Sequence, residues 1–396
     1  MRDLMTSGVV ISRPTRLNAR VTGSTAAKPF ALPALPAAAL PPEGWSEWVW
    51  TAVGTALDQA VVEAMRRVID AAMMPPAEAL PALRAAALPF TDGPLWEGPR
   101  GFFAFLDQAP DALVSETCYR RGLRGGVVVG RRFAGRYRPY GADAPAEPDA
   151  DAILVEHWMH GRKAPRATVL ALHGFSMGRP RIDAIALFAA EWFRRGLDVA
   201  LLTLPYHGAR TPPSARFSGQ RFAAADPAAF NEAVRRAVYD IHVVRSWVRR
   251  ETGRPVGLLG LSLGGYLSAL LAGLCDDLDF VVPMVPPVCI GDLAWRFVER
   301  SPRRRTGMAP AYSRDELRAM YRVHSPLTFP LRVPKERVLI VAGRGDRIVP
   351  PEHPYALWRH WGEPRIHWFS GSHLAPFGRA RILATAADHL AQLGIL

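Results

Sequence analysis

The sequence predicts an α/β protein built on a mostly parallel, doubly wound sheet. Two observations carry that expectation. From residue 168 onward, short apolar runs alternate with longer segments of helical periodicity, the pattern of strands joined by crossover helices. Residues 255–266 pass from an apolar run through Gly260-Leu261-Ser262-Leu263-Gly264 into a small-residue helix. That turn is so tight that side chains at its two flanking positions would clash, which accounts for the glycines.

A chain of 396 residues, 49% of them hydrophobic, can bury a large core. No apolar run reaches the length of a membrane span. The net charge of +13 comes almost entirely from scattered arginines, the longest basic run being Arg303-Arg304-Arg305. No helix-turn-helix, zinc-finger or aromatic RNA-binding pattern accompanies them. The charge therefore reads as a solvated surface with a weak attraction for anionic lipid or acidic substrates, and no nucleic-acid partner is expected. Cys118, Cys275 and Cys289 are isolated and odd in number, which fits a reducing, cytoplasmic compartment better than a disulfide framework or a zinc site. Residues 1–42 have no apolar core followed by a cleavage site, so they read as an Ala/Pro-rich arm and not as a secretory signal.

Taken in order, residues 45–74 place Trp48, Ala52, Leu57, Val61, Met65, Val68 and Ile69 at roughly helical spacing, and Pro75-Pro76 stops the helix. A second short helix is expected over 81–88, and 101–107 is apolar and aromatic. Trp45, Trp48 and Trp50 read as packing against the rest of the molecule in preference to lining a pocket. Strand structure is expected from about Gly126, over 127–129, 133–140 and 153–158, with a proline-bearing loop at 141–151. Then come a buried strand at 168–172, a helix at 181–195, a strand at 198–204 and a loop at 205–225. The long helix 227–250 has Asp226 as its cap and Pro227 in its first turn. Strands at 256–261, 280–285, 337–341 and 365–369 follow, with a closing helix at 380–393. Residues 286–334 make the longest crossover and carry Trp295, Phe297, Met308, Met320 and Tyr321, as a lid over the carboxyl edge of the sheet would.

The turn after strand 256–261 aims Ser262 Oγ out of the sheet at a helix N-terminus, where the Leu263 amide and the helix dipole face a developing negative charge. Three more features sit at the carboxyl ends of expected strands, where an open α/β sheet builds its site. His173-Gly174-Phe175 offers the Phe175 N–H as a second oxyanion donor. Asp346 leaves an apolar strand in Ala342-Gly343-Arg344-Gly345-Asp346 and is placed to orient an imidazole, with Asp292 after the preceding strand as runner-up. His373, in Gly371-Ser372-His373, lies on a short loop and has the ordinary pKa of a general base. His207, in Pro205-Tyr206-His207-Gly208, reads as structural more than substrate-contacting, and His157 and His160 fall on early strands outside the pattern. Singly, each feature has a plain alternative, such as a turn aspartate or a serine in a glycine-rich turn. Their chain order, Ser262 then Asp346 then His373, makes them one constellation.

On His173-Gly174, Gly260-x-Ser262-x-Gly264, Gly345-Asp346 and Gly371-x-His373, residues from about 150 to 396 resemble the α/β-hydrolase superfamily, whose triad follows this order. Pro205-Tyr206-His207-Gly208 and residues 338–350 are similar to the branch that contains the abhydrolase-domain protein eighteen. A helical segment ahead of the main domain is similar to the fermentation-respiration-switch esterase-like branch. The loop after the family's fourth strand lacks the acidic Asp-x-x-Gly pattern of stricter members. The resemblance implies an α/β-hydrolase fold and a serine hydrolase of carboxylic esters that works through an acyl-enzyme. Ser262, Asp346 and His373 form its triad, Phe175 and Leu263 its oxyanion hole, and no cofactor or metal is needed. The same triad serves amide, thioester, lipid-acyl and carbon–carbon bond hydrolysis, or acyl transfer. A non-catalytic binding protein on this fold is the alternative from another class. The expected organisation is a flexible arm over 1–44, a helical extension over 45–120, and the α/β-hydrolase domain over 121–396 with its lid insertion at 286–334. Residues 45–74 are expected to pack beside the lid and help shape the acyl pocket.

Overall fold

Apolar runs without a polar break become strands covered on both faces. The strands β4 (Thr168–Leu172) and β5 (Asp198–Thr203) are buried at every position, and β6 (Val256–Leu261) at every position but its last. The structure, a computed structural model, describes residues 31–73, 77–110, 114–141, 152–161, 164–222, 226–299 and 312–396. Among them is a nine-stranded sheet in the order β1-β2-β3-β5-β4-β6-β7-β8-β9. The outer strands are β1 (Ser115–Leu123), β2 (Gly126–Phe133) and β3 (Ile153–His160), and beyond β6 lie β7 (Val281–Met284), β8 (Leu339–Gly343) and β9 (Arg365–Phe369). Every pairing from β5 through β9 is parallel, whereas β1, β2, β3 and β5 pair antiparallel. The α/β architecture with a mostly parallel sheet is thus the one expected.

Alternation along the strands feeds two cores. Leu170, Leu172, Ala200, Leu202 and Leu258 pack with the long helix Pro227–Thr252 and the helix Leu263–Leu274. Val169, Ala171, Val199, Leu201 and Leu259 face the other way, toward Trp192 and the C-terminal helix Arg379–Gln392. In chain order the helices are α1 (Trp45–Met73), α2 (Leu80–Thr91), α3 (Pro94–Glu97), α4 (Pro180–Ala186), α5 (Ala189–Arg194), α6 (Pro227–Thr252), α7 (Leu263–Leu274), α8 (Ile290–Glu299), α9 (Arg314–Met320), α10 (Glu352–His360) and α11 (Arg379–Gln392). Asp226 caps α6 by accepting from the Ala228 amide, and Gly253 ends it in the left-handed conformation.

Four local expectations are corrected. β1 falls before the expected start of strand structure; its Ser-Glu-Thr-Cys-Tyr-Arg-Arg sequence is polar because it is an exposed edge strand. The sheet therefore reaches into residues 115–120, which had been grouped with the helical extension. The expected strands 127–129 and 133–140 are replaced by the single strand β2, which tolerates Arg131 because its guanidinium stacks 4.6 Å from the Trp247 ring centre. Helix 181–195 divides into α4 and α5 around Phe188, whose φ of 57° interrupts the helix. The tryptophans of α1 are not its packing face: Trp45 and Trp48 are exposed, and Trp50, itself half exposed, stacks on the Phe377 ring. The arm over residues 1–30, the Pro75-Pro76 stop, most of loop 141–151, and Arg303-Arg304-Arg305 and Met308 of the lid segment lie outside the described residues.

Candidate active site

Ser262 ends β6 with φ 55° and ψ −111°, a conformation that non-glycine residues rarely hold. Its backbone is fixed on both sides, the amide donating to Met284 O at 2.9 Å and the carbonyl accepting from Tyr266 N at 2.8 Å. The flanking glycines are demanded by close backbone approach. A Cβ on Gly264 would stand 2.1 Å from Leu172 O, and one on Gly260 would stand 2.0 Å from Gly264 O. The Gly264 amide donates to His173 O at 3.1 Å, tying the start of α7 to the turn after β4.

That turn carries Gly174 and Phe175. A Cβ on Gly174 would lie 3.5 Å from Ser262 Cβ, so the backbone of this turn runs directly beside the serine. Neither the Phe175 nor the Leu263 amide finds an acceptor among the described residues, which leaves both free to donate. His173 has a structural role: its Nδ1 donates to Gly174 O at 2.8 Å and its Nε2 accepts from Leu204 N at 3.0 Å. Burial pushes its pKa down to about 3, so it stays neutral. His207 packs edge-on against His173 and Phe175, with its Nδ1 on Pro205 O. His157 and His160 lie on β3, the latter bonded to Asp198 at 2.8 Å.

Asp346 and His373 are brought together from two loops at the carboxyl ends of β8 and β9. His373 Nδ1 lies 2.7 Å from Asp346 Oδ2, and the other carboxylate oxygen accepts from the amides of Ile348 (3.0 Å) and Val349 (2.7 Å). This pairing favours the proton on Nδ1, which leaves Nε2 with a lone pair able to accept a proton. Burial pulls the His373 pKa down, but the Asp346 charge and hydrogen bond, with a further contribution from Asp58, outweigh it and raise the pKa above 6.5. Burial pushes Asp346 up from its ordinary range, against the pull of His373 and the Val349 amide. The Ser262 hydroxyl makes no hydrogen bond to a described residue.

Asp292, the runner-up acid, is engaged elsewhere. It is buried on α8, where its carboxylate accepts from Arg314 Nε and from Arg318 Nε at 2.9 Å. Although burial works the other way, the two guanidiniums hold its pKa below the usual value. It fastens α8 to α9 within segment 286–334.

Sequence reasoning missed Asp58. This α1 residue is fully buried and accepts from the Arg347, His373 and Leu374 amides and the Ser372 hydroxyl. Around it, the Gly371 amide donates to Thr51 Oγ1 and Thr55 Oγ1 donates to Gly345 O, each at 3.0 Å. The signal was present as a small and polar stripe, Thr51, Gly54, Thr55 and Asp58, at the i, i+3, i+4, i+7 spacing of one helix face. The same helix packs on α8, and between them and the loop after Asp346 lies a cavity of about 310 Å³ lined by Gln59, Val62, Leu293, Phe297, Arg347 and Ile348. No group of His, Cys, Asp and Glu able to hold a metal occurs among the described residues, and no described helix is long and apolar enough to cross a membrane.

The chain is 32% identical over 336 residues to the uncharacterized protein Rv2627c of Mycobacterium tuberculosis strain H37Rv, spanning 79% of this chain and 75% of that one. It belongs to the family of that protein. The uncharacterized protein MT2702 of Mycobacterium tuberculosis strain CDC 1551 is a second member at the same identity and coverage. No family model matches the chain. Two solved structures share the fold of the family. The acetyl xylan esterase from Paenibacillus sp. R4 superposes with a TM-score of 0.54 over 80% of this chain and 99% of its own. The acetyl xylan esterase 1 from Thermoanaerobacterium sp. JW/SL YS485 does so with 0.53 over 76% and 99%. Both are 14% identical to this chain, a likeness of fold, and that fold is the α/β-hydrolase one.

Proposed function

We propose that this protein is a serine hydrolase of carboxylic esters. His373 Nε2 takes the proton of Ser262 Oγ as that oxygen attacks the acyl carbon, and Asp346 holds the imidazole tautomer and offsets the imidazolium charge. The Phe175 and Leu263 amides receive the oxyanion, and the alcohol leaves with the proton from His373. Water then attacks the acyl-enzyme with His373 as base, releasing the acid and restoring the serine. The single observation that carries this reading is the Asp346–His373 pair, 2.7 Å apart, at the sheet edge that also presents the strained Ser262 turn. The fold shared with two acetyl xylan esterases supports ester chemistry as the class. Amide, thioester and lipid-acyl cleavage or acyl transfer would use the same groups, and the acceptor and scissile bond separate them.

The cavity between α1 and α8 is our assignment for the acyl group, since its wall begins at Arg347, next to the acid. The test is hydrolysis of p-nitrophenyl esters of increasing acyl length by the native protein and by Ser262→Ala and Phe297→Trp variants. Turnover that vanishes in Ser262→Ala and a chain-length optimum that shortens in Phe297→Trp are expected. Turnover that persists in Ser262→Ala removes the mechanism, and an unmoved optimum removes the pocket assignment.

A further inference from the structure

Among the described residues, the partners of Asp58 are three amides and a hydroxyl, none of them a cation. Burying a carboxylate without a countercharge is expensive, and here all four acceptor sites are filled by neutral donors. The donors are not scattered. One is Arg347, the residue after the acid, and the other three are Ser372, His373 and Leu374, the base and its two neighbours. Both oxygens are shared out, Oδ2 taking Arg347 N and His373 N at 2.9 Å each, Oδ1 taking Ser372 Oγ at 2.9 Å and Leu374 N at 3.1 Å. The approach leaves no slack: a Cβ on Gly54 would stand 2.8 Å from Ser372 Oγ, and one on Gly345 would stand 2.6 Å from Thr55 Oγ1.

On the reading given under Proposed function, we propose that Asp58 is a positioning residue of the catalytic centre, its carboxylate locking the Asp346 loop and the His373 loop to α1 in one fixed register. The N-terminal helix is then part of the active site. A structural staple alone could be built from a serine or an asparagine; a full charge beside the base also acts on that base. Asp58 reinforces the field of Asp346 on His373. Among the described residues, the other ionisable groups on the elements packed there include Arg344 and Arg347 on the acid loop, Glu43 just before α1, Glu47 and Glu63 on α1, and Arg379 and Arg381 on α11. Arg344 pairs with Glu43 and Arg381 with Glu47, so the carboxylates bearing on the ring are Asp346 and Asp58.

The test is the rate at which a fluorophosphonate labels Ser262, measured across pH beside an NMR titration of the His373 ring. The full-length native protein, Asp58→Asn, Asp58→Glu and Thr51→Val/Thr55→Val are compared, with melting temperatures recorded for each. Asp58→Asn is expected to fold, to label about 10- to 100-fold more slowly as misplaced groups do, and to titrate His373 at lower pH. Asp58→Glu is expected to restore the midpoint. A folded Asp58→Asn that labels within twofold of native with an unmoved midpoint overturns the proposal. Should that variant not fold, the double threonine variant decides, because it keeps the charge and loosens the helix: slower labelling with an unchanged midpoint supports the lock, and native labelling overturns it. A native protein that takes no label sinks the serine-hydrolase reading alone, and the His373 titration then decides the Asp58 assignment.

Discussion

In the proposed mechanism His373 is a base only when neutral, and two carboxylates hold its pKa above the ordinary 6.5. The rate kcat/KM is therefore expected to rise with pH through a midpoint above 6.5. In Asp346→Asn the charge and the tautomer lock are lost while burial remains. That variant should lose about 10³- to 10⁴-fold in kcat and shift its acidic limb to lower pH, as a pH–rate profile will show. A limb that stays in place would mean that another group titrates. At this scale the sequence was informative where glycine marks a turn. Ser262, Asp346 and His373 each follow a strand, with Gly260 and Gly264, Gly345 or Gly371 beside them, because tight strand-end turns need φ or space that only glycine gives. Asp58 carried no such flag. It sits 289 residues before its Arg347 partner, and although Thr51, Gly54, Thr55 and Asp58 mark one polar face of the helix, nothing local says which loops that face meets.

Elements follow the same division. Strands β4, β5 and β6 were legible because burial on both faces leaves an unbroken apolar run. β1 was hidden by its polar edge-strand sequence, and the docking face of α1 was hidden because the conspicuous Trp45 and Trp48 are exposed and its polar face does the docking. A helix that buries glycine and aspartate and half-buries two threonines while exposing Trp45, Trp48 and Leu57 inverts the usual amphipathic rule, because that polar face bonds the loops after β8 and β9. Two predictions belong here. Gly264→Ala forces a methyl group to 2.1 Å from the Leu172 carbonyl, so the elbow must open; about 3 kcal/mol or more of stability should be lost, read by denaturant unfolding. Asp292→Ala leaves Arg314 without its carboxylate and Arg318 with only the exposed Asp315, and should destabilise segment 286–334 by about 1–3 kcal/mol, while Ser262 still takes a fluorophosphonate. Loss of labelling in a folded Asp292→Ala would give the acid role back to Asp292.

For the molecule as a whole, the alternation of strand and helix and the order of three residues were enough to anticipate the architecture. Where the acidic groups lie, and which histidines are buried, depended on packing. Burial pushes His157, His173, His324 and His353 down to about 3 and His207 to about 4. Unfolded, these rings take up protons near pH 6.5, so stability present above that value is lost as pH falls, by up to about 2 kcal/mol per ring between 6.5 and 5. His373, raised in the native state, works in the opposite sense and is outnumbered. The melting temperature should therefore drop steeply from pH 7 to 5; a flat profile would mean that these rings are not buried neutral. The central claim, that Ser262 is the nucleophile served by His373, is tested most directly by treating the native protein with a fluorophosphonate and mapping the adduct by peptide mass spectrometry. One adduct is expected, on Ser262, that disappears in His373→Ala. An adduct on another residue, or none on Ser262 under conditions where the protein is folded, would contradict it.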